Sequence, residues 1–575
     1  MVSRKQFILN TRKVILTGLV AAFLGSLGQA QSTGNASKKF YPDDPLWHEP
    51  PPHAVGEVTR REIDDLYDFV ENRFVTPAQA DKAQKERSVQ AGNINTLGEV
   101  PDSTWYTNRH WLRRMSIPEL QRGIGNTTPP DMDAPWKIVG AKSDGITPGL
   151  VIEDRQGRRY VVKFDPPDFP ELASAADVIS SKFFYALGYN TPENYIVHLR
   201  RENLTIGEGI KWRDANGKKH PLTPHAVDEM LKTQPKDSNG AYRALASRWV
   251  SGDLVGPFNY KGTRTDDPND VIPHENRREL RGMRVFSAWL NHTDVKQMNS
   301  MDALVTENGR RYLKHYLIDF GSTLGSDGNL AKNPWRGHVY PISPSASSAM
   351  QAVTLGLYMP AYIRAHYPKF RGGGAFEAEA FEPEEWIPDY PNPAFLMMDD
   401  EDAFWAAKQV IAFTDEEIRA IVATGEYTDQ RTAAWITECL IKRRDKVAQA
   451  WMSTVLPLDR FRVEDGALAF DDLGATYHFS SARAYDVRWY GYDNDRGIFH
   501  PLLEAVGTRI PVTADPSGYM AAVVQCTPNE KDCSKPVTVF LRFNGPSFEV
   551  IGLDRQTVLT IENASGSPRP EAGNN

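Results

Sequence analysis

Apolar positions change their spacing several times along this chain, and each change marks an element. From Trp136 to Pro167, in "WKIVGAKSDGITPGLVIEDRQGRRYVVKFDPP", they fall in short strand-like runs. Gly157 marks a turn between the last two runs, and Gly140, Gly145 and Gly149 punctuate the first half. A helical stretch follows in "ELASAADVISSKFFYALG", residues 171–188, with Gly188 as its stop. "NTPENYIVHL" returns to strand. Residues 200–240 are polar and read as an insertion, after which "YRALASRWVSG" predicts a strand leading to a connecting segment. In "ENRRELRGMRVFSAWL", Leu280, Met283, Phe286 and Leu290 recur at helical spacing. "MDALVTENGRRYLKHYLIDFG", residues 301–321, predicts a β-hairpin turning at Asn308-Gly309. Pro-rich loops come next, then helices near 400–413, 415–424 and 429–452. Residues 456–575 alternate strands and turns. The sequence contains no internal repeat.

The ends of the chain follow other patterns. Basic residues Arg4, Lys5, Arg12 and Lys13 precede the apolar run "VILTGLVAAFLGSLGQA", which closes on the small residues Gly28 and Ala30. That is the layout of a cleaved export signal; an uncleaved anchor is the alternative, because the run is just long enough to span a bilayer. No Cys follows it, which argues against a lipoprotein, and no other segment is apolar enough to cross a membrane. Residues 31–100 are polar and rich in Pro, Gln and Asn, interrupted by one helical stretch, "TRREIDDLYDFVENRF". "VPDSTWYTNRHWLRRM", residues 100–115, reads as a docking segment in which Asp102 and Arg109 could also serve a cleft.

Length and composition limit the possibilities further. A chain of 575 residues exceeds one ordinary core, so two or three domains are expected. The division read here is signal 1–30, extension 31–135, first lobe with insertion 136–240, second lobe 241–455 and β domain 456–575. Net charge is -8, and removing the four basic residues of the leader leaves -12. That balance opposes a general affinity for nucleic acid or anionic lipid. Of the three cysteines, Cys439 is expected as a buried thiol in a helix. Cys526 and Cys533 bracket a polar loop and could close it as a disulfide in an oxidising compartment. A zinc site is not indicated, since no paired Cys or His spacing is present. No Gly-x-Ser-x-Gly elbow supports serine hydrolase chemistry.

The candidate chemistry lies in "NHTDVKQMNS", residues 291–300, and in "LIDFG", residues 317–321. Phosphoryl transfer asks a protein for positioning and charge neutralisation. Asp294 would orient or deprotonate an attacking hydroxyl, and Lys296 could reach phosphate oxygens. Asn299 and Asp319 would hold magnesium through hard oxygen ligands. Lys163, at the end of "RRYVVKF", would pair with nucleotide phosphates and needs an acidic partner on the following helix. His292 is expected to organise backbone and His315 to pack.

Taken in order, these residues resemble a known family across roughly 136–452. "HTDVKQMN" resembles the protein-kinase catalytic loop His-Arg-Asp-Leu-Lys-Pro-Glu-Asn, with Asp294, Lys296 and Asn299 in register, and "LIDFG" resembles the kinase Asp-Phe-Gly. The stretch "ADVISSKFFYALGYNTPENYIV" is similar to the atypical HipA-type kinases, and the exported spore-coat (CotH-type) kinases are another plausible relation. The resemblance implies an α+β, bilobal kinase-like fold with a β-rich first lobe and a helical second lobe, to which a C-terminal all-β domain is added. It implies ATP and magnesium as cofactors and a nucleotide and a hydroxyl acceptor as partners. Register from Leu187-Gly188 selects Asp177 as the partner of Lys163, where the family usually has Glu, with Glu171 as the rival. Phosphate contacts are assigned only to the region of Gly140 and Gly145, because no clean Gly-x-Gly-x-x-Gly occurs. The segment after Gly321 does not resemble a protein-kinase activation segment, and Ala-Pro-Glu is absent. The expected function is an exported phosphotransferase; the alternative is a catalytically inactive pseudokinase serving as an envelope binding module.

Overall fold

Six strands build the sheet that carries Lys163. They are β1 (Trp136–Ala141), β2 (Gly149–Glu153), β3 (Arg159–Phe164), β4 (Asn194–Leu199), β5 (Leu204–Ile206) and, after the short ribbon of β6 (Lys211–Arg213) and β7 (Lys219–Pro221), β8 (Tyr242–Arg248). The computed structural model describes residues 38–62, 70–75, 89–124, 129–141, 149–213, 218–340, 358–481, 483–511, 518–527, 535–545, 547–555, 560–562 and 568–570. The expected leader, Gly145 and Cys533 lie outside the described residues. Strand order is β4-β8-β3-β2-β1-β5. Alternation sends Trp136, Ile138, Leu150, Ile152, Tyr160 and Val162 to one buried face. Leu222, Val227 and Leu231 cover that face, the last two from a helix at Pro224–Lys232. Two expectations change here. The stretch 200–240 is part of this sheet's packing, because its helix shields the sheet and β5 extends the edge parallel to β1. The boundary at 240/241 also falls one strand early, since β8 pairs with both β3 and β4.

Helix α1 (Leu172–Ala186) follows β3 and is buried along most of its length. It packs into the large lower core through Ala175, Ile179, Phe183 and Phe184, alongside α2 (Arg278–Leu290), α3 (Asp400–Ile411), α4 (Asp415–Ala423) and α5 (Gln430–Trp451). Helix α2 carries the expected apolar stripe, yet its polar side is buried too. Arg278 Nε donates to Asp402 Oδ1 at 2.8 Å, and Arg281 Nη1 donates to Asp402 Oδ2 at 3.2 Å. Gly282 lets α3 approach, because a Cβ there would lie 2.8 Å from the Trp405 ring. Strand β9 (Asp253–Gly256), which precedes α2, joins β10 (Ser300–Glu307) and β11 (Arg310–Leu317), which follow it, in a three-stranded sheet of order β11-β10-β9. Asn308 and Gly309 make its hairpin turn, both at positive φ.

The extension is held along the core. Val55 N donates to Arg311 O and Arg61 N to Val255 O, each at 2.7 Å, so residues 55–61 line the rims of that small sheet. Of the helix expected over 59–74, residues 63–69 lie outside the described residues. Residues 59–62 are not helical, and Glu71–Val75 makes a single π-helical turn. At Arg61 the edge hydrogen bond uses a backbone N–H that a helix starting there would need. Downstream, the docking segment caps α1. Thr107 N donates to Gly188 O at 2.9 Å, and Arg109 Nη1 donates to Tyr185 O at 2.8 Å and Tyr189 O at 3.0 Å.

The C-terminal unit pairs β12 (Leu458–Glu464) with β13 (Ala467–Asp472). A seven-stranded sheet follows, formed by β14 (Tyr485–Asp493), β15 (Ile498–Val506), β16 (Tyr519–Cys526), β17 (Val537–Phe543), β18 (Phe548–Asp554), β19 (Thr560–Glu562) and β20 (Pro568–Pro570). One face packs on Leu458 and Leu468. The other receives Phe40 of the extension against Tyr492, Phe540 and Ile551. A single helical turn, Leu473–Thr476, makes the unit predominantly rather than wholly β. Cys439 is a free, buried thiol, and Cys526 is disulfide-bonded. Among the described residues, no helix is long and apolar enough to cross a membrane.

Candidate active site

Helix α2 stops where Asn291 turns left-handed (φ 51°, ψ 44°). Residues 292–296 run as a loop, and one 3-10 turn, Gln297–Asn299, feeds β10. The turn folds the loop on itself. Asn299 Nδ2 donates to the backbone oxygen of Asp294 at 2.6 Å and to Asp294 Oδ2 at 3.0 Å. Lys296 Nζ lies 3.2 Å from Asp294 Oδ1. Three of the sequence candidates therefore form one contact group.

Hairpin register brings in the fourth. Ser300 pairs with Leu317, and the ladder continues as Ile318 N donates to Asn299 O at 2.9 Å. Asp319 comes next, at φ 60° and ψ 69°, a left-handed conformation that Asp tolerates better than most residues. The bend buries Phe320, which stacks on Phe184 with ring centroids 5.0 Å apart. It leaves Asp319 Oδ1 2.8 Å from Lys163 Nζ.

Lys163 comes from the upper sheet. On β3, Val162 and Phe164 point into the sheet core and Lys163 takes the opposite face. There Asp177 Oδ2 of α1 stands 3.7 Å from its Nζ. Asp177 is itself buried and its Oδ1 accepts from Asn194 Nδ2 at 2.7 Å. Burial alone would lower the Lys163 pKa, but the Asp319 and Asp177 carboxylates outweigh it and hold the pKa above its ordinary value. Glu171 is not in this group. It precedes α1 at φ 70° and its carboxylate accepts from Thr428 N at 3.0 Å and from Thr428 Oγ1. Gly140 sits at a bulge of β1, where an added Cβ would meet Val151 at an ordinary 3.4 Å.

Lys163, Asp177, Asp319 and Gly321 line a small cavity between sheet, helix and hairpin end, floored by Ala173 and Ser174 and roofed by Leu245. Asp319 gives this cavity a carboxylate and Lys163 a fixed ammonium, and Asn299, one ladder bond away, has an amide oxygen; carboxylate and amide oxygens are donors that could hold a hard divalent cation. Among the described residues, no group of three or more His, Cys, Asp or Glu could hold a metal by itself. His292 is buried against Phe184 and Phe320. Burial pushes its pKa down to about 4 against the pull of Asp294, so it is neutral near pH 7. His315 Nδ1 lies 2.7 Å from Asp302 Oδ1, and its ring stacks on Trp105. Asp102 accepts from Asn108 N at 2.7 Å; together with the helix-capping role of Arg109, this assigns both residues to the fold.

Sequence patterns gave no signal for several neighbours of this site. Asn194 orients Asp177. Lys332 and Arg336, from the segment after Gly321, lie beneath the Asp294 loop. Arg336 bridges Asp327 Oδ2 at 3.1 Å and Asp389 Oδ2 at 2.5 Å, while Asp389 N donates to Thr293 O at 2.8 Å. These are contacts between distant segments, with no periodicity or motif to announce them.

No protein-family model and no curated protein matches the chain. Solved structures do match. The chain is similar to the proinflammatory kinase CtkA of Helicobacter pylori at 13% identity and a TM-score of 0.29, with 56% of this chain and 96% of that one covered. It is similar to the Golgi casein kinase at 10% identity and a TM-score of 0.27, with 71% and 96% covered. The Golgi casein kinase with Mn/ADP bound gives 10% identity and a TM-score of 0.26, with 71% and 95% covered. Superpositions this loose carry no argument about this chain.

Proposed function

We propose that the chain is an exported, atypical kinase-like phosphotransferase that uses ATP and magnesium to phosphorylate a hydroxyl of a protein, glycan or small molecule. The hairpin rung from Asn299 to Ile318 is the observation that carries this. It joins the Asp294–Lys296–Asn299 group to the Asp319–Lys163–Asp177 group. Asn299 and Asp319 would hold the magnesium, which neutralises phosphate charge when bound. Lys163, kept cationic by two carboxylates, would hold nucleotide phosphate oxygens. Asp294, braced by Asn299 and Lys296, would accept the proton of the acceptor hydroxyl. The leader expected at residues 1–30 would place it in the periplasm or outside the cell, held by an N-terminal anchor if the leader is not cleaved.

A pseudokinase is the second reading. It is favoured by the size of the cavity beside Lys163, about 40 Å³ among the described residues. Small-molecule clefts usually measure about 300–1,000 Å³. Two variants separate the readings. Asp319→Asn removes a metal carboxylate and is expected to weaken magnesium-nucleotide binding about 10-fold or more. Asp294→Asn is expected to leave binding within about 3-fold and to slow turnover at least ~100-fold. Calorimetric nucleotide titration and ATP consumption with candidate acceptors are the measurements. Equal, weak binding by all three proteins with no turnover would replace the enzyme with the pseudokinase.

A further inference from the structure

The segment after Gly321 returns beneath the Asp294 loop, and one buried side chain ties the two together. Lys332 is 2% exposed. Its Nζ donates to Asn291 O at 2.9 Å, Thr293 Oγ1 at 3.0 Å and Ser322 O at 2.8 Å. An ammonium has three N–H groups, and here each has an acceptor. Thr293 immediately precedes Asp294, Asn291 lies three residues before it, and Ser322 lies three residues past Asp319. An uncharged side chain could fill the same volume, but it could not satisfy three converging acceptors.

We propose that Lys332 is a positioning residue whose ammonium braces the Asp294 loop against the Asp319 segment and so sets their separation for phosphoryl transfer. This rests on the phosphotransferase function proposed above. Loss of the brace frees two loops that must hold their reacting groups to well under an ångström, and a misplacement of about 1 Å can cost roughly 100-fold in rate. The charged and titratable groups facing Lys332 are Asp294 and His292 on the catalytic loop, Asp327 and Arg336 on its own segment, and Asp389 behind Thr293. Burial lowers the Lys332 pKa to about 8; Asp389, Asp327 and Asp294 pull it up and Arg336 pushes it down. A neutral amine keeps two N–H groups, so one acceptor is released as pH rises through about 8. Stability moves the other way. The unfolded chain binds more protons between that value and an ordinary lysine pKa, so this group's contribution to stability rises with pH there. The brace therefore predicts an alkaline fall in kcat without a matching loss of folding.

The test compares wild type, Thr293→Val and Lys332→Met, each with a melting curve, kcat and KM for ATP from about pH 6.5 to about pH 9.5. Wild-type kcat should fall above pH 8. Thr293→Val removes one acceptor of the charged form, so its fall should move about one pH unit lower. Its kcat at pH 7 should drop about 3–10-fold with KM for ATP within about 3-fold. Lys332→Met should lose about 10–100-fold in kcat and show no fall near pH 8. If Lys332→Met does not fold, Thr293→Val decides alone. Folded variants that keep both the wild-type kcat and the wild-type alkaline fall overturn the brace while leaving the phosphotransferase standing. A wild type that neither binds magnesium-ATP nor turns over removes both.

Discussion

Asp177 shows how one residue's role depends on a partner that no local pattern reveals. Its position on α1 was legible, because helical register measured from Gly188 fixes which side chains share a face. Its orientation was not legible, because that comes from Asn194, 17 residues away on β4. With Oδ1 occupied by Asn194, Oδ2 is turned toward Lys163. Replacing Asn194 with Ala removes a buried donor to a carboxylate, which costs about 1–3 kcal/mol of stability. It also lets Asp177 rotate away from Lys163. The expected outcome is a measurable drop in melting temperature together with an approximately 10-fold loss in kcat/KM for ATP. KM for the acceptor should not change, because Asp177 lies on the Lys163 side of the site. A variant that melts lower but keeps its nucleotide kinetics would reduce Asn194 to a packing role. Lys332 and Arg336 were invisible in the sequence for the same reason: a buried ammonium on two backbone carbonyls and a hydroxyl, or a guanidinium between two distant carboxylates, leaves no spacing to read.

The elements divide by how local their determinants are. The β10–β11 hairpin was legible in full, since Asn-Gly supplies the two positive-φ residues of its turn and alternation fixes its register. Helix α1 was legible as a helix, with Gly188 as its stop. Its fixation to the lower core was not, because the cap comes from Trp105 to His110 of the extension. Of the helix expected at 59–74, Glu71–Val75 is helical, whereas residues 59–62 are not, because Arg61 is committed to the edge of β9. Gly188 is where the two levels meet. It sits at φ 111°, and a Cβ there would lie 2.1 Å from Tyr106 Cε2. Gly188→Ala therefore meets a strained backbone and a filled core together, for a loss of about 2–5 kcal/mol. The end of α1 should loosen first. Hydrogen exchange is expected to rise across 179–188 and across 105–110 together, and turnover should fall because Asp177 rides on the same helix. Faster exchange in only one of the two segments would mean that the extension does not hold the helix.

At the scale of the whole molecule, a few buried charges join parts that the sequence separates by hundreds of residues. Lys408 on α3 is the clearest case. Its Nζ meets Glu99 of the extension and lies 2.8 Å from Asp459 Oδ2 on β12. Nearby, Arg555 donates to Leu456 O at 2.9 Å and Leu458 O at 2.6 Å, and Leu553 N donates to Thr96 O at 2.8 Å. The β unit was legible as strands, but its seat on α3 was not, because an ion pair 309 residues apart carries no local signal. Lys408→Met tests whether this junction holds the parts as one cooperative body. It leaves two buried carboxylates facing each other without the cation they share, with only the more remote Arg278 and Arg555 guanidiniums nearby, which costs about 3–5 kcal/mol. Removing the charges as well, in Lys408→Met with Glu99→Gln and Asp459→Asn, should recover most of that loss, because an uncharged cluster needs no counter-ion. The pH dependence has a definite sign. In Lys408→Met, burial and mutual repulsion raise both folded-state carboxylate pKa values above their unfolded values. The deficit is then largest near neutral pH and closes as pH falls toward the unfolded values, where both groups are protonated in either state. Calorimetric melts of wild type, single variant and triple variant at pH 7 and near pH 4.5 would measure this. A deficit that does not shrink at the lower pH, or a triple variant no more stable than the single one, would show that the junction is held by packing rather than by charge.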